Sequence, residues 1–267
     1  MNPKDGIIFA DMDGTLLTNW DLGPVIVENN LLAISKWLAA GGYFSVATGR
    51  NLKNVPHFFT DFKLDIPFVL VNGALLYLPA EERIISQELI SKDFLKEAID
   101  YFNNHHYLSL VLSDQYEVYS IVHPKSLFKP IIDFPNKSIT VEEIADIEVL
   151  KVSFVIMENY AKKVNLELQE FKSIKDVNIL PSSSRFIEFV SNKANKAKGI
   201  KKALNYARLE RKIICIGDYL NDLEMAEVAD YFAAPENAHP ELKKRANFIT
   251  LSNNDGAIAS LINKLMD

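Results

Sequence analysis

Residues 6–15 read Gly6-Ile7-Ile8-Phe9-Ala10-Asp11-Met12-Asp13-Gly14-Thr15, an apolar run that stops in two carboxylates one residue apart and then a glycine. A short apolar run bounded by a turn signal predicts a buried strand. Side chains two apart on an extended backbone point the same way, so Asp11 and Asp13 are expected to converge at the strand tip with the Met12 amide exposed between them. Two convergent carboxylates can hold a hard cation, or one can attack while the other moves protons. They also repel, and with no cation or ammonium nearby one of them becomes partly protonated. A calcium loop of the EF-hand kind is excluded: that pattern needs glycine at its sixth position, whereas Gly14 is fourth and Thr15 stands where the next acid belongs. Asp and Gly are also common at strand-to-turn junctions for turn reasons alone. The stretch by itself leaves the chemical and the plain reading open.

A chain of 267 residues has room for one large domain or two smaller ones. With 48% apolar and 24% charged residues it has the balance of a soluble globular protein. The net charge of −6, with no basic block, argues against sequence-independent nucleic-acid binding. A single cysteine, Cys215, can form neither an internal disulfide nor a thiolate zinc site, and its place among isoleucines predicts an inert core side chain. The first residues carry no signal-peptide core, and no apolar run approaches the ~20 residues of a membrane span. The expected setting is cytoplasmic, with no membrane partner.

Beyond Asp13, Asp21-Leu22-Gly23-Pro24 reads as a turn, and Val25 to Ala40 repeats apolar residues at helical spacing before the Gly41-Gly42 cap. Tyr43 to Ala47 is strand-like and ends in Thr48-Gly49-Arg50-Asn51; Val55, Phe58, Phe59 and Phe62 then fit one face of a helix. Phe68 to Val71 is a third strand, closing in Asn72-Gly73-Ala74. Strand and helix in alternation predict a parallel sheet with helices on both faces. From about Leu75 the texture changes to hairpins mixed with helices: strands at 83–86, 107–112, 116–122, 149–157, 177–180 and 186–190, helices at 91–105 and 160–171, and a segment marked by Pro124, Pro130 and Pro135. Alternation returns with a helix at 196–208, the strand Lys212 to Ile216 ending in Gly217-Asp218, a helix at 221–229, a strand at 231–234 and two closing helices. The predicted architecture is an α/β, Rossmann-like parallel-sheet core built from residues 1–82 plus 191–267, with an inserted α+β cap at 83–190.

Open α/β sheets bind ligands beyond the carboxyl ends of their strands. Three core strands end there in Asp11 and Asp13, in Thr48-Gly49-Arg50, and in Gly217-Asp218-Tyr219-Leu220-Asn221-Asp222, two of these loops being expected to open a helix. A hydroxyl with free N–H groups at a helix N-terminus makes an anion cradle, so Thr48 and Gly49 suit a phosphoryl group. A third carboxylate, Asp218, makes a set that suits Mg²⁺. Lys198, just before Gly199, is expected to supply a point charge to the same phosphate. His105, His106 and His123 lack the spacing of a metal site and read as solvated or packing residues.

Asp11-Met12-Asp13-Gly14-Thr15-Leu16, Ala47-Thr48-Gly49-Arg50, Lys198-Gly199 and Gly217 to Asp222 together resemble the four motifs of the haloacid dehalogenase-like hydrolases. The resemblance is strongest to the Cof-type branch of sugar-phosphate phosphatases with a large α/β cap, and it extends to Asn72-Gly73-Ala74 and Asn253-Asn254-Asp255-Gly256. One departure is Pro235 in Ala234-Pro235-Glu236-Asn237-Ala238, where the family tends to carry Met or a small residue. The resemblance implies a phosphatase of small phosphorylated metabolites. Asp11 would be the nucleophile, forming an aspartyl-phosphate, and Asp13 the acid and base. It also implies Mg²⁺ on Asp11, Asp218 and the carbonyl of Asp13, phosphate contacts from Met12, Thr48, Gly49, Lys198 and Asn221, and an orienting role for Asp222. Phosphotransfer on the same fold, or binding of a phosphorylated ligand without turnover, stays open beside hydrolysis.

Overall fold

Five consecutive apolar residues in β1 (Gly6–Ala10) are all buried, as a central parallel strand covered on both faces requires. The computed structural model describes residues 1–18, 23–62, 64–126, 137–181 and 185–267. Asp21 and Leu22 of the expected turn, and Pro130 and Pro135, lie outside the described residues.

After β1 come α1 (Glu28–Ala39), β2 (Tyr43–Val46), β3 (Phe68–Leu70), β4 (Leu75–Leu78), β5 (Arg83–Gln87), α2 (Lys92–Asn104), β6 (Leu108–Ser113), β7 (Val118–Val122) and β8 (Lys137–Ser138). The chain continues through β9 (Lys151–Ile156), α3 (Ala161–Glu167), β10 (Val177–Pro181), β11 (Phe186–Ser191), α4 (Lys196–Ala207) and β12 (Lys212–Ile216). It closes with α5 (Leu223–Val228), β13 (Tyr231–Pro235), α6 (Pro240–Arg245), β14 (Phe248–Thr250) and α7 (Ala257–Met266).

The core is a five-stranded parallel sheet in the order β14-β13-β12-β1-β2. Alternation along β1 sends Ile8 and Ala10 into a cluster with Trp37 of α1 and Ile258 and Ile262 of α7. Ile7 and Phe9 go to the opposite face, with Ile200 of α4, Met225 of α5 and Leu242 of α6. Cys215 joins that second cluster, fully buried, and burial pushes its thiol pKa up, which leaves it an inert packing residue.

Two expectations change. The stretch around Val55 to Phe62 is not an α-helix but two short 3₁₀ turns, Leu52–Asn54 and Pro56–Phe59. Pro56 disfavours α-helical backbone at Val55 and removes an N–H donor, so no helix N-terminus follows Thr48-Gly49. The third strand, β3, meets β2 only through a bridge between Ala47 and Val69 and instead pairs antiparallel with β4, which pairs with β5. Arg83–Gln87, at the start of the expected insertion, is therefore hydrogen-bonded to a strand that precedes it.

The inserted unit is a six-stranded sheet, β10-β11-β9-β6-β7-β8, antiparallel except between β7 and β8. Its Val152, Phe154, Ile187 and Phe189 face Phe94, Ala98 and Phe102 of α2 and Val164 of α3. The two-residue period of a strand turns Lys151 and Glu188 to the other face. There Lys151 Nζ donates to the carbonyl of Gly49 (3.4 Å) and to Glu188 (2.8 Å). The β6–β7 hairpin also seats on the core: Leu52 N donates to Gln115 O and Asn51 Nδ2 to Tyr116 O.

Candidate active site

β1 ends at Ala10, and the next residue, Asp11, still donates its amide to Ile216 O of β12 (2.9 Å), so its side chain leaves the sheet between two central strands. The Met12 carbonyl then accepts from the amides of Thr15, Leu16 and Leu17, and this tight turn needs Gly14 at φ +77°. A Cβ at Gly14 would lie 2.3 Å from Asp218 Oδ2, so glycine also lets β1's turn approach the loop after β12.

The cation beside Asp11 is Lys196, not Lys198. Lys196 Nζ donates to Asp11 Oδ1 and to Asp222 Oδ1, each at 2.6 Å, and is 1% exposed. Lys198 is exposed, and its Nζ donates to Asn192 O. Residues two apart on a helix sit ~200° apart around its axis, so only one of them can face the strand ends. Asn195 caps α4 by accepting from Lys198 N, which makes Lys196 the first helical residue and puts it on the buried face with Gly199, Ile200 and Ala203. Burial alone would lower the Lys196 pKa, but the carboxylates of Asp11 and Asp222 outweigh it and hold the ammonium charged.

Asp11, Asp218 and Asp222 place ligand oxygens within 4.8 Å of one another. Asp13 is not among them. Its carboxylate, 59% exposed, is paired with Arg50 through Nη2 (2.6 Å) and Nε (2.8 Å). The expected convergence of Asp11 and Asp13 is thus replaced by a division: Asp11 turns inward to a lysine, Asp13 outward to an arginine. Asp222 is committed on both oxygens, since Oδ2 accepts from the amides of Asp218 and Tyr219 while Oδ1 takes Lys196. It thereby shapes the Gly217–Asn221 loop and aims the lysine. Burial, then the charge of Asp222, raises the Asp218 pKa to about 7; burial also raises that of Asp11. One ammonium among two buried carboxylates and a half-buried one leaves excess negative charge on an all-oxygen donor set, which fits a small hard dication.

The remaining predicted residues line the same edge. Thr48 is fully buried, with its hydroxyl accepting from Arg50 N (3.2 Å). Asn221 Nδ2 donates to Asn72 Oδ1 (3.3 Å). The 235–238 loop braces the Asp11–Thr15 turn: Asn237 Nδ2 donates to Gly14 O and Asn237 Oδ1 accepts from Asn253 N. Asn253 Nδ2 reaches Leu17 O (2.8 Å), so the loop with the departure at Pro235 still closes on the site.

Residues 8–262 match the haloacid dehalogenase-like hydrolase family. The 5-amino-6-(5-phospho-D-ribitylamino)uracil phosphatase YitU of Bacillus subtilis (strain 168) is 27% identical over 98% of both chains. YxeH of the same organism, named a phosphatase, is 27% identical over 97% of this chain and 98% of its own. Among solved structures, the subclass IIB sugar phosphatase BT4131 superposes with a TM-score of 0.81 at 21% identity, covering 98% of this chain and 99% of that one. A HAD/COF-like hydrolase from Plasmodium vivax gives a TM-score of 0.82 at 22% identity over 98% and 95%. Over residues 8–262 the chain belongs to the haloacid dehalogenase-like hydrolases, as a phosphatase with an inserted cap.

Proposed function

We propose that this phosphatase is Mg²⁺-dependent and hydrolyses sugar or sugar-alcohol monophosphates through a phosphoryl group carried on Asp11. The observation that carries the reading is Asp11 itself, buried at the tip of β1, with Lys196 at 2.6 Å and two further carboxylates grouped around it. Asp11 Oδ1 is committed to Lys196, so the other carboxylate oxygen attacks phosphorus as the bond to the leaving oxygen breaks. Asp13, released from Arg50 and protonated, gives that oxygen its proton. It then takes a proton from the water that attacks the acyl phosphate, which frees Asp11 and inorganic phosphate.

Asp11 and Asp218 would hold the Mg²⁺, with Asp222 behind them. When bound, the ion would neutralise charge on the phosphoryl oxygens, the dominant need in phosphoryl transfer. The Met12 amide, Thr48, Gly49 and Asn221 would orient the phosphate, with Lys196 in the part expected of Lys198. The cap, residues 83–190, would select the leaving group. Three Bacillus subtilis relatives, 27–28% identical, are named phosphatases of a phosphoribityl compound, which supports a polyol-phosphate substrate.

The test is release of nitrophenolate and free phosphate from p-nitrophenyl phosphate with Mg²⁺. Wild-type protein should turn over, and Asp11→Asn should lose at least about a thousandfold. Activity that survives the substitution overturns the reading, and phosphate that appears on an added alcohol rather than in solution makes the protein a phosphotransferase.

A further inference from the structure

Val71 and Asn72 both have positive φ, +48° and +52°, and Gly73 follows at +88°. Glycine adopts this backbone freely, but a β-branched residue does so only when its surroundings hold it there. Here the surroundings are the candidate site. Val71 N donates to Arg50 O and Asn72 N to Thr48 O, each at 2.9 Å, which ties the turn to the loop after β2. A Cβ at Gly73 would lie 2.1 Å from Asn195 O, so the turn also rests on the start of α4, next to Lys196.

The Asn72 side chain, 1% exposed, joins three more groups. Its Nδ2 donates to Glu188 Oε2 of β11 (3.4 Å), and its Oδ1 accepts from Asn221 Nδ2 (3.3 Å). The nitrogen–oxygen edge of its carboxamide points at Gly49, where a Cβ would stand 3.3 Å from both polar atoms. Glu188 is paired with Lys151, which also reaches Gly49 O, so Asn72, Glu188, Lys151 and Gly49 form a ring that crosses from cap to core. An ionised Glu188 only accepts hydrogen bonds. It therefore fixes which end of the carboxamide faces the cap and leaves the oxygen for Asn221.

We propose that Asn72 is a positioning residue that transmits seating of the cap to the phosphate-holding loops. With the cap seated, Lys151 and Glu188 hold the carboxamide in one orientation, and the carboxamide backs Gly49 and aims Asn221. The proposal rests on the reading of Thr48, Gly49 and Asn221 as phosphate contacts.

The test is calorimetric titration of the full-length protein with inorganic phosphate in the presence of Mg²⁺, alongside thermal midpoints. Asn72→Gly keeps the left-handed backbone but removes the carboxamide. It should weaken phosphate binding about tenfold, the weight of one well-placed hydrogen-bonded group, in protein that is still fully folded at the titration temperature. Asn72→Asp places a like charge against Glu188 and should weaken binding as much. Adding Glu188→Gln restores a donor–acceptor pair across that contact and should recover most of the loss. Unchanged phosphate affinity in Asn72→Gly, or a loss that follows the thermal midpoint with no recovery in the double variant, overturns the proposal. Wild-type protein that binds phosphate but hydrolyses no phosphomonoester sinks the hydrolase reading and leaves this comparison standing, whereas wild-type protein that binds no phosphate overturns both.

Discussion

Lys196 Nζ stands 2.6 Å from Asp11 Oδ1 and the same distance from Asp222 Oδ1, while Lys198, two residues on, spends its ammonium on the carbonyl of Asn192. Removing one partner from a buried ion cluster leaves uncompensated charge and costs about 3–5 kcal/mol. Lys196→Met should therefore both destabilise the fold by that order and abolish activity. Lys198→Ala is a surface change and should stay within about 0.5 kcal/mol with activity near wild type. Urea denaturation and phosphate-release assays on the two variants check this.

The choice between these lysines shows what is legible in the sequence and what is not. Asp11 and Asp218 can be read directly, because each ends an apolar run at a glycine-bearing turn, and a strand end needs no further information to place it. A residue on a helix also needs the helix's phase. The signal was present: Asn195 is a good N-cap, and counting from it puts Lys196 in register with Gly199, Ile200 and Ala203. The spacing Lys198-Gly199 hides it. The stretch through Val55 to Phe62 shows the opposite failure, since its aromatics keep helical spacing while Pro56 bars any helix running through it from Leu52 and itself opens only a 3₁₀ turn. β4 and β14 are only four and three residues long, too short to carry a period. The pairing of β3 with β4 does have a local signal, the Asn72-Gly73 dipeptide between two apolar runs, which the expectation of a parallel sheet passes over. The Asp13–Arg50 pair has none, because it depends on how two separate strand-end loops meet.

Asp218 has its pKa raised from 3.8 to about 7 by burial and by Asp222. In the metal-free protein the folded state thus binds a proton that the unfolded state releases near pH 4. Stability should fall as pH rises from about 4 to about 7, and Mg²⁺ should restore it at the upper end. A proton must leave for the metal to bind, so Mg²⁺ affinity should drop up to about tenfold per unit below pH 7. Titration calorimetry in two buffers of different ionisation enthalpy should show protons released on Mg²⁺ binding at pH 6 and fewer released at pH 8.

Asp13 is assigned work in both half-reactions, but p-nitrophenolate leaves without needing a proton. Asp13→Asn should release about one nitrophenolate per protein in a burst and then stall, because no base activates the water that hydrolyses the acyl phosphate. Stopped-flow absorbance reads the burst. Steady turnover without one would remove Asp13 from the base role.

Gly14→Ala forces a residue at φ +77° and drives a methyl group into Asp218. The backbone term is about 1–2 kcal/mol. Displacing Asp218 should cost far more in Mg²⁺ affinity than in stability, and parallel calorimetry and thermal denaturation would separate the two.

The claim on which all of this depends is that the phosphoryl group passes through the protein, on Asp11, on its way to water. The stereochemical course at phosphorus measures it most directly, with a phosphorothioate monoester that carries two oxygen isotopes and is turned over in water of the third, so that the thiophosphate released is itself chiral. Two in-line displacements predict retention of configuration. Inversion would mean that water attacks the substrate directly and would contradict the account.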